Sequence, residues 1–327
     1  MDEHGAPGAV LRLDPDYPEP LPGPGQVAIR VAACGLNFAD SLLCLGTYQE
    51  RPPLPFTPGL EVAGTIAAVG DGVDRARHGE RVVALAALPA GGLAETCLAA
   101  DGEAWTLPPD VDDVTAAALP ITYGTAWVGL FHRGEVVAGD TVLVHAGAGG
   151  TGSSALQLAV SAGATVFATA GGDEKVALCR QMGATEAWDS RADGFDLVSL
   201  VRRATSDRGV DVVFDPVGGD LFDVSRRVVA FEGRYLVVGF ASGRIPEAPT
   251  NHLLLKNYAL VGVHWGAYRS HRPDVLADAH EGVLAAVESG RVEPLIGATP
   301  TFEAAASALD DLANRRTTGK VVVRIAG

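Results

Sequence analysis

The segment HAGAGGTG (145–152) has glycines at 147, 149 and 152, a G-x-G-x-x-G spacing directly behind the apolar run TVLVHAG (141–147). An Ala/Leu-rich stretch, GSSALQLAVSAG (152–163), follows at once. A glycine loop between a buried strand and a helix turns tightly and brings backbone amides close to a pyrophosphate, and the helix N-terminus adds partial positive charge. Gly147, Ala148, Gly149, Gly150, Thr151 and Gly152 are therefore candidate dinucleotide-binding residues. Sites for NAD carry an acid about 20 residues on, at the tip of the next strand, to hold the ribose hydroxyls. Here that strand ends FATAGG, with Ala170 at the tip and Asp173 beyond it. With no carboxylate at the tip to repel a 2′-phosphate, and Lys175 near in sequence, NADPH is the expected cofactor.

Other residues that could do chemistry are sparse. Tyr48, in CLGTYQERPPLPF, carries a phenol that can donate a proton at neutral pH. Asp40 stands three residues after Asn37, where capping or a structural hydrogen bond is the expected role. His145 on its apolar strand reads as a core histidine, and Asp215-Pro216 as a turn. His252, His264, His271 and His280 have no ligand spacing, and the four cysteines, Cys34, Cys44, Cys97 and Cys179, are scattered without a Cys-x-x-Cys pair. Buried thiols are expected, without disulfide or structural metal.

The elements that must position these residues come in two textures. QVAIRVAAC (26–34), EVAGTIAAVG (61–70) and ERVVALA (80–86) read as strands between Gly, Pro and Asp turns, a β-rich unit. From about 119 strands and helices alternate: ATVFATA (164–170), helix DEKVALCRQMG (173–183), VDVVFDPVGG (210–219), helix LFDVSRRVVAF (221–231), GRYLVVGF (233–240) and a last strand in NYALVGVHWG (257–266). Such alternation means a parallel sheet covered by helices. Helices over roughly 273–290 and 303–315 and the strand KVVVRIAG then return to the first texture.

The 327 residues carry a net charge of −15 and are 47% apolar, a globular composition that repels nucleic acid and anionic membranes. No apolar run reaches the roughly 18 to 20 residues that span a bilayer. The N-terminus lacks the basic start and apolar stretch of a secretory signal, so a cytoplasmic location is expected.

The blocks CGLNFADSL (34–42), LPFTPGLEVAGTI (54–66), LPITYGTAW (119–127), VLVHAGAGGTGSSALQLA (142–159), VVFDPVGG (212–219), GRYLVVGFASG (233–243) and TTGKVVV (317–323), in this order, resemble the medium-chain dehydrogenase/reductase superfamily over essentially the whole chain. Within it the sequence is similar to the zinc-free quinone-oxidoreductase (zeta-crystallin-like) branch. The resemblance implies an α/β fold, with a doubly wound Rossmann sheet (119–265) binding NADPH, inserted in a GroES-like β-rich catalytic domain made of 1–118 and 266–327. Zinc members place a Cys and a His in the blocks matching CGLNFAD and PGLEVAG, where this chain has Asn37 and Leu60. Neither an amide nor an alkyl group is a competent zinc ligand, so no metal is expected.

By resemblance, Asn37 hydrogen-bonds near the nicotinamide or its ribose, and Tyr48 helps protonate the substrate. Thr125 and the turn Gly239, Phe240, Ala241 line the cofactor, and Arg315 assists at the 2′-phosphate. Relatives often carry a Tyr where Ser190 stands and paired serines where Gly171 and Gly172 stand, so phosphate binding is expected to lean on Lys175 and Arg191. The implied reaction is hydride transfer from NADPH to a quinone or similar electron-poor carbonyl in the cleft between the domains. The alternatives are an enoyl-CoA or enone reductase on the same scaffold, and a catalytically silent NADPH-binding structural or regulatory protein. A homodimer is implied, joined edge to edge through the strand near Tyr258–Trp265.

Overall fold

Short β-branched runs bounded by turn residues fold the first part of the chain into strands. β1 (Gln26–Leu36), helix α1 (Phe38–Cys44), β2 (Glu61–Val69), β3 (Arg81–Ala86) and β4 (Thr96–Thr106) follow in order. The middle contains α2 (Thr122–Trp127), β5 (Thr141–Val144), α3 (Gly150–Ser161), β6 (Thr165–Ala170), α4 (Asp173–Gln181), β7 (Glu186–Asp189) and α5 (Leu197–Ala204). It continues through β8 (Val210–Asp215), α6 (Gly219–Ser225), β9 (Val229–Val237), α7 (Thr250–Lys256), β10 (Ala259–Gly262) and α8 (Pro273–Glu288). The chain closes with β11 (Ile296–Ala298), α9 (Ala305–Ala313) and β12 (Lys320–Arg324). The computed structural model describes residues 1–325, in two compact units: Met1–Ile121 with the chain from Pro294 onward, and Thr122–Glu293.

In the first unit β1 pairs antiparallel with β2, β2 with β3, β3 with β4, and β4 again with β1, which closes a small barrel. β12 adds antiparallel to the other end of β1, Leu36 opposite Val321, and β11 adds to β12. The core is aliphatic, built on Ile29, Leu36, Val62, Ile66, Val82 and Val323. Cys34, Cys44, Cys97 and, in the second unit, Cys179 are buried free thiols.

The second unit is the doubly wound sheet, all parallel, in the order β7-β6-β5-β8-β9-β10. Strand order reverses between β5 and β8, and beyond the carboxyl ends of those strands lies the crevice where such sheets take ligands. Beneath it runs a buried polar chain. Ser225 Oγ donates to the Leu221 carbonyl, so it accepts from His145 Nε2–H at 2.6 Å. Nδ1 then accepts from the Thr169 hydroxyl at 2.8 Å, and burial lowers the imidazole's pKa, keeping it neutral.

Three sequence expectations change. The helix expected over 221–231 stops at Ser225, and Val229 already opens β9, because Val229 pairs with Val210 of β8 and Val228, Val229 and Ala230 are buried. The last parallel strand is only Ala259–Gly262, and Trp265 lies in a 3-10 turn. The return to the first unit begins at Pro294, not 266. Helix α8 stays with the second unit because Val275 and Ala279 pack on Val128 with Trp127 and Trp265, and Glu293 N–H bonds to Gln157 Oε1 at 2.9 Å. No helix among the described residues is long and apolar enough to cross a membrane.

Candidate active site

The glycine loop leaves β5 at Val144 and enters α3 at Gly150. Packing dictates the glycines. A Cβ on Gly152 would collide with the Ala146 carbonyl and sit 3.0 Å from the His145 oxygen, and one on Gly147 would lie 2.9 Å from Cys179 Sγ. The first intrahelical bond is Ser153 N–H to the Gly149 carbonyl, 2.8 Å. The amides of Gly150, Thr151 and Gly152 precede it, so they are the helix-opening donors that no intrahelical carbonyl takes. Amide donors with a helix dipole behind them and no side chain in the way fit a diphosphate. Ala148 is buried under the loop, while Gly149, Gly150 and Thr151 are half-buried at its surface.

At the tip of β6, Gly171 and Gly172 lead into α4. Arg191 lies across Gly171: a Cβ there would be 2.7 Å from its Nε and 3.0 Å from its Cζ. Lys175 stands in the same field, its pKa lowered by partial burial and by the Arg191 charge. Asp189, at the end of β7, is held by backbone amides beside these cations and feels the Arg191 charge. Its Oδ1 accepts from Gly172 N–H and Arg191 N–H, both 2.8 Å, and those bonds lower its pKa. Ser190 is spent on the Ala170 carbonyl, which its Oγ meets at 3.1 Å.

The turn after β9 is laced to the turn after β8. Gly239 N–H donates to the Asp215 carbonyl at 3.3 Å and Ala241 N–H to the Pro216 carbonyl at 3.1 Å, with Phe240 partly exposed between them. Asp215 Oδ1 caps Val217 and Gly218 N–H, and its Oδ2 accepts from Tyr235 Oη at 2.7 Å. Thr125 lies half-buried on α2 in the same unit.

Asn37 opens α1 in the first unit, inside a closed polar cluster. Its Nδ2 donates to Glu61 Oε1 at 2.8 Å, and its Oδ1 accepts from Lys320 Nζ at 2.7 Å. Lys320 also donates to the Leu36 carbonyl at 2.8 Å and pairs with Glu61 Oε1 at 2.5 Å, while Glu61 Oε2 accepts from Ile121 N–H at 2.8 Å. Exposure is 6% for Asn37, 4% for Lys320 and 0% for Glu61. Gly35 makes the room: a Cβ there would be 2.8 Å from Glu61 Oε1. Removing one member of such a pair strands the other charge, at a cost of about 3–5 kcal/mol. Asp40 Oδ2 accepts from Asn37 N–H at 2.8 Å and its Oδ1 from Gly59 N–H at 3.0 Å, which ties α1 to the loop carrying Leu60.

The structure thus groups Gly147–Gly152, brings Lys175 to Arg191, and joins 239–241 to the end of β8. Asn37, Tyr48 and Arg315 belong to the first unit. Tyr48 is half-buried just past α1, its N–H on the Leu42 carbonyl at 3.3 Å. Arg315 is exposed after α9, at φ 59°. Glu61 and Lys320 had no role in the sequence reading. Their signal was there: each is a charge opening an apolar run, EVAGTIAAV and KVVV.

Residues 23–109 match the family described as alcohol dehydrogenase GroES-like domain, and 150–281 the family described as zinc-binding dehydrogenase. The chain is 39% identical to quinone oxidoreductase-like protein 2 of Rattus norvegicus, over 96% of this chain and 89% of that one. Mycobacterial Rv1454c, solved in complex with NADPH, superposes with a TM-score of 0.91 at 33% identity, covering 99% of this chain and 98% of that one. The CurK enoyl reductase superposes at 0.87 with 27% identity, covering 100% and 98%.

Burial raises the Asp40 carboxyl to about 6, against the lowering pull of its two N–H donors and Lys320. The native carboxyl therefore keeps its proton to higher pH than the unfolded one, so stability falls as pH rises from about 4 to 6. In urea titrations the advantage of the wild type over Asp40→Asn is expected to shrink by about 3 kcal/mol across that window and stay level above it. An advantage that grows with pH would contradict the assignment.

Proposed function

Since the chain belongs to the medium-chain dehydrogenase/reductase family and is a quinone oxidoreductase-like oxidoreductase, we propose that it passes hydride from NADPH to a quinone or similarly electron-poor carbonyl, without zinc. The observation that carries the reading is the glycine loop at the sheet's switch point, with Lys175 and Arg191 together at the next strand tip. NADPH, when bound, supplies the hydride from its nicotinamide ring. The NADPH complex of the mycobacterial relative supports that choice of cofactor.

In this reading the amides of Gly150, Thr151 and Gly152 bind the pyrophosphate, and Lys175 and Arg191 hold the 2′-phosphate, with Arg315 assisting. Thr125 and the Gly239–Ala241 turn line the cofactor, and Asn37 offers its amide to the nicotinamide ribose. Tyr48 Oη delivers a proton to the reduced acceptor. Orientation of donor and acceptor supplies about 7–11 kcal/mol of the barrier in favourable cases. Asn37 and Leu60, which cannot ligate zinc, support a metal-independent reaction. A second reading, reduction of an enone or enoyl thioester, is supported by the likeness to CurK enoyl reductase.

A homodimer through β10 belongs to the proposal. Leu260 on that edge strand is 36% exposed, and nearby Leu254 and Leu255 on α7 are 76% and 80% exposed. Edges of this kind pair with another strand.

The purified chain is expected to oxidise NADPH with 9,10-phenanthrenequinone faster than with enones or enoyl thioesters, and equally well after dialysis against EDTA. A preference for thioesters would favour the second reading, and tight NADPH binding without oxidation the silent protein. Lys175→Met with Arg191→Met is expected to raise KM for NADPH at least 100-fold and leave NADH unchanged, since a hydrogen bond to a charged group contributes about 1.5–3 kcal/mol. Tyr48→Phe is expected to slow turnover; unchanged rates with both quinone and enone would remove Tyr48 from the mechanism. Sedimentation at micromolar concentration is expected to show a dimer, and a monomer after Leu260→Lys.

A further inference from the structure

A side-chain amide is nearly symmetric in shape, so turning it by half a rotation exchanges oxygen and nitrogen at almost no steric cost. Only its neighbours choose. At Asn37 those neighbours are a group that can only donate and a group that can only accept. Lys320 Nζ sits 2.7 Å from Oδ1 and Glu61 Oε1 2.8 Å from Nδ2. The flipped amide would set N–H against an ammonium and carbonyl oxygen against a carboxylate, in a place closed to water.

We propose that Lys320 is a positioning residue: with Glu61 it forms a polarity clamp that holds the Asn37 amide in the one orientation competent to meet the nicotinamide ribose. The inference rests on the reading of Asn37 given above. The ammonium has nothing left over, because its three donors go to the Leu36 carbonyl, Asn37 Oδ1 and Glu61 Oε1. The amide keeps a second N–H, which meets the Gly35 carbonyl only weakly at 3.4 Å, while Oδ1 also faces Asp40 N–H in the capping box of α1. That N–H is what the clamp aims. Both clamp residues come from strands that flank β1, so the barrel holds the amide from two sides, in addition to the capping contact from its own helix.

The test is a cycle of variants. Lys320→Met with Glu61→Gln removes both charges together, strands neither, and keeps the shape of the pair. It is combined with Asn37→Ala and read by the fluorescence of bound NADPH, by NADPH affinity, and by single-turnover oxidation with 9,10-phenanthrenequinone. The neutral pair is expected to slow turnover about tenfold while NADPH affinity stays within threefold. It is expected to shift the emission of bound NADPH as Asn37→Ala does, and to add nothing further in the Asn37→Ala background. Lys320→Gln with Glu61→Gln, which strands no charge and can hydrogen-bond either orientation of the Asn37 amide, is expected to slow turnover about threefold with the same coupling, and it serves if the methionine-containing pair does not fold. Losses that multiply across the cycle would make the pair a structural tie only and overturn the inference. Wild-type turnover and emission in Asn37→Ala would remove the reading of Asn37 itself, and the inference with it.

Discussion

A charge taken out of water must meet its opposite and fill its hydrogen bonds, or the fold cannot hold it. In the first unit that requirement falls on Lys320 and Glu61, 2.5 Å apart and both buried. Glu61 opens β2, early in the chain, and Lys320 opens β12, at its far end. For the pair to form, the last strand must lie beside β1, where Leu36 faces Val321. The chain is therefore obliged to return to its first unit after leaving it at Thr122, and everything from there to Glu293 becomes an insertion. Gly35 admits the carboxylate, Asn37 is gripped between the two charges, and Asp40 fastens the same turn to Gly59. One electrostatic demand thus orders the polar side chains around Asn37.

In the function proposed above, the second unit faces a different problem: holding an anion on a protein of net charge −15. That reading draws on backbone more than on side chains. Amides at the opening of α3 are available because the third glycine lets the helix come down on the loop without a clash at Ala146. In this unit the cationic side chains of the proposal stand at the tip of β6. There Gly171 leaves the space that Arg191 fills, and Asp189 is occupied with two backbone amides. A confined positive patch is compatible with an acidic surface elsewhere, since charges separated by more than about a Debye length are screened.

Much of this was legible before any coordinates. The loop at 145–152 and the alternation of strand and helix behind it are local statements about residue type and spacing, while the reading of Asn37 and Leu60 came from the family resemblance. Where local signals conflicted, the reading failed. Residues 226–231 have the composition of either element, and it was burial against the sheet that made Val229 a strand residue. α8 looked like part of the returning segment, until Val275 and Ala279 were found against Val128. The short strand β7 carries too little pattern to be seen alone and exists by pairing with β6.

The sequence by itself determined two local features: a G-x-G-x-x-G turn between a strand and a helix, and no acid at the second strand tip. These follow from single side chains and from spacings within one or two turns of backbone, whereas Asn37 and Leu60 gained their meaning for zinc from the family resemblance. Tertiary structure alone decided which polar groups meet. Asn37 and Lys320 are 283 positions apart, and no periodicity connects them. Their contact is selected by strand pairing and by the exclusion of water, and both come into being only when the chain has closed on itself.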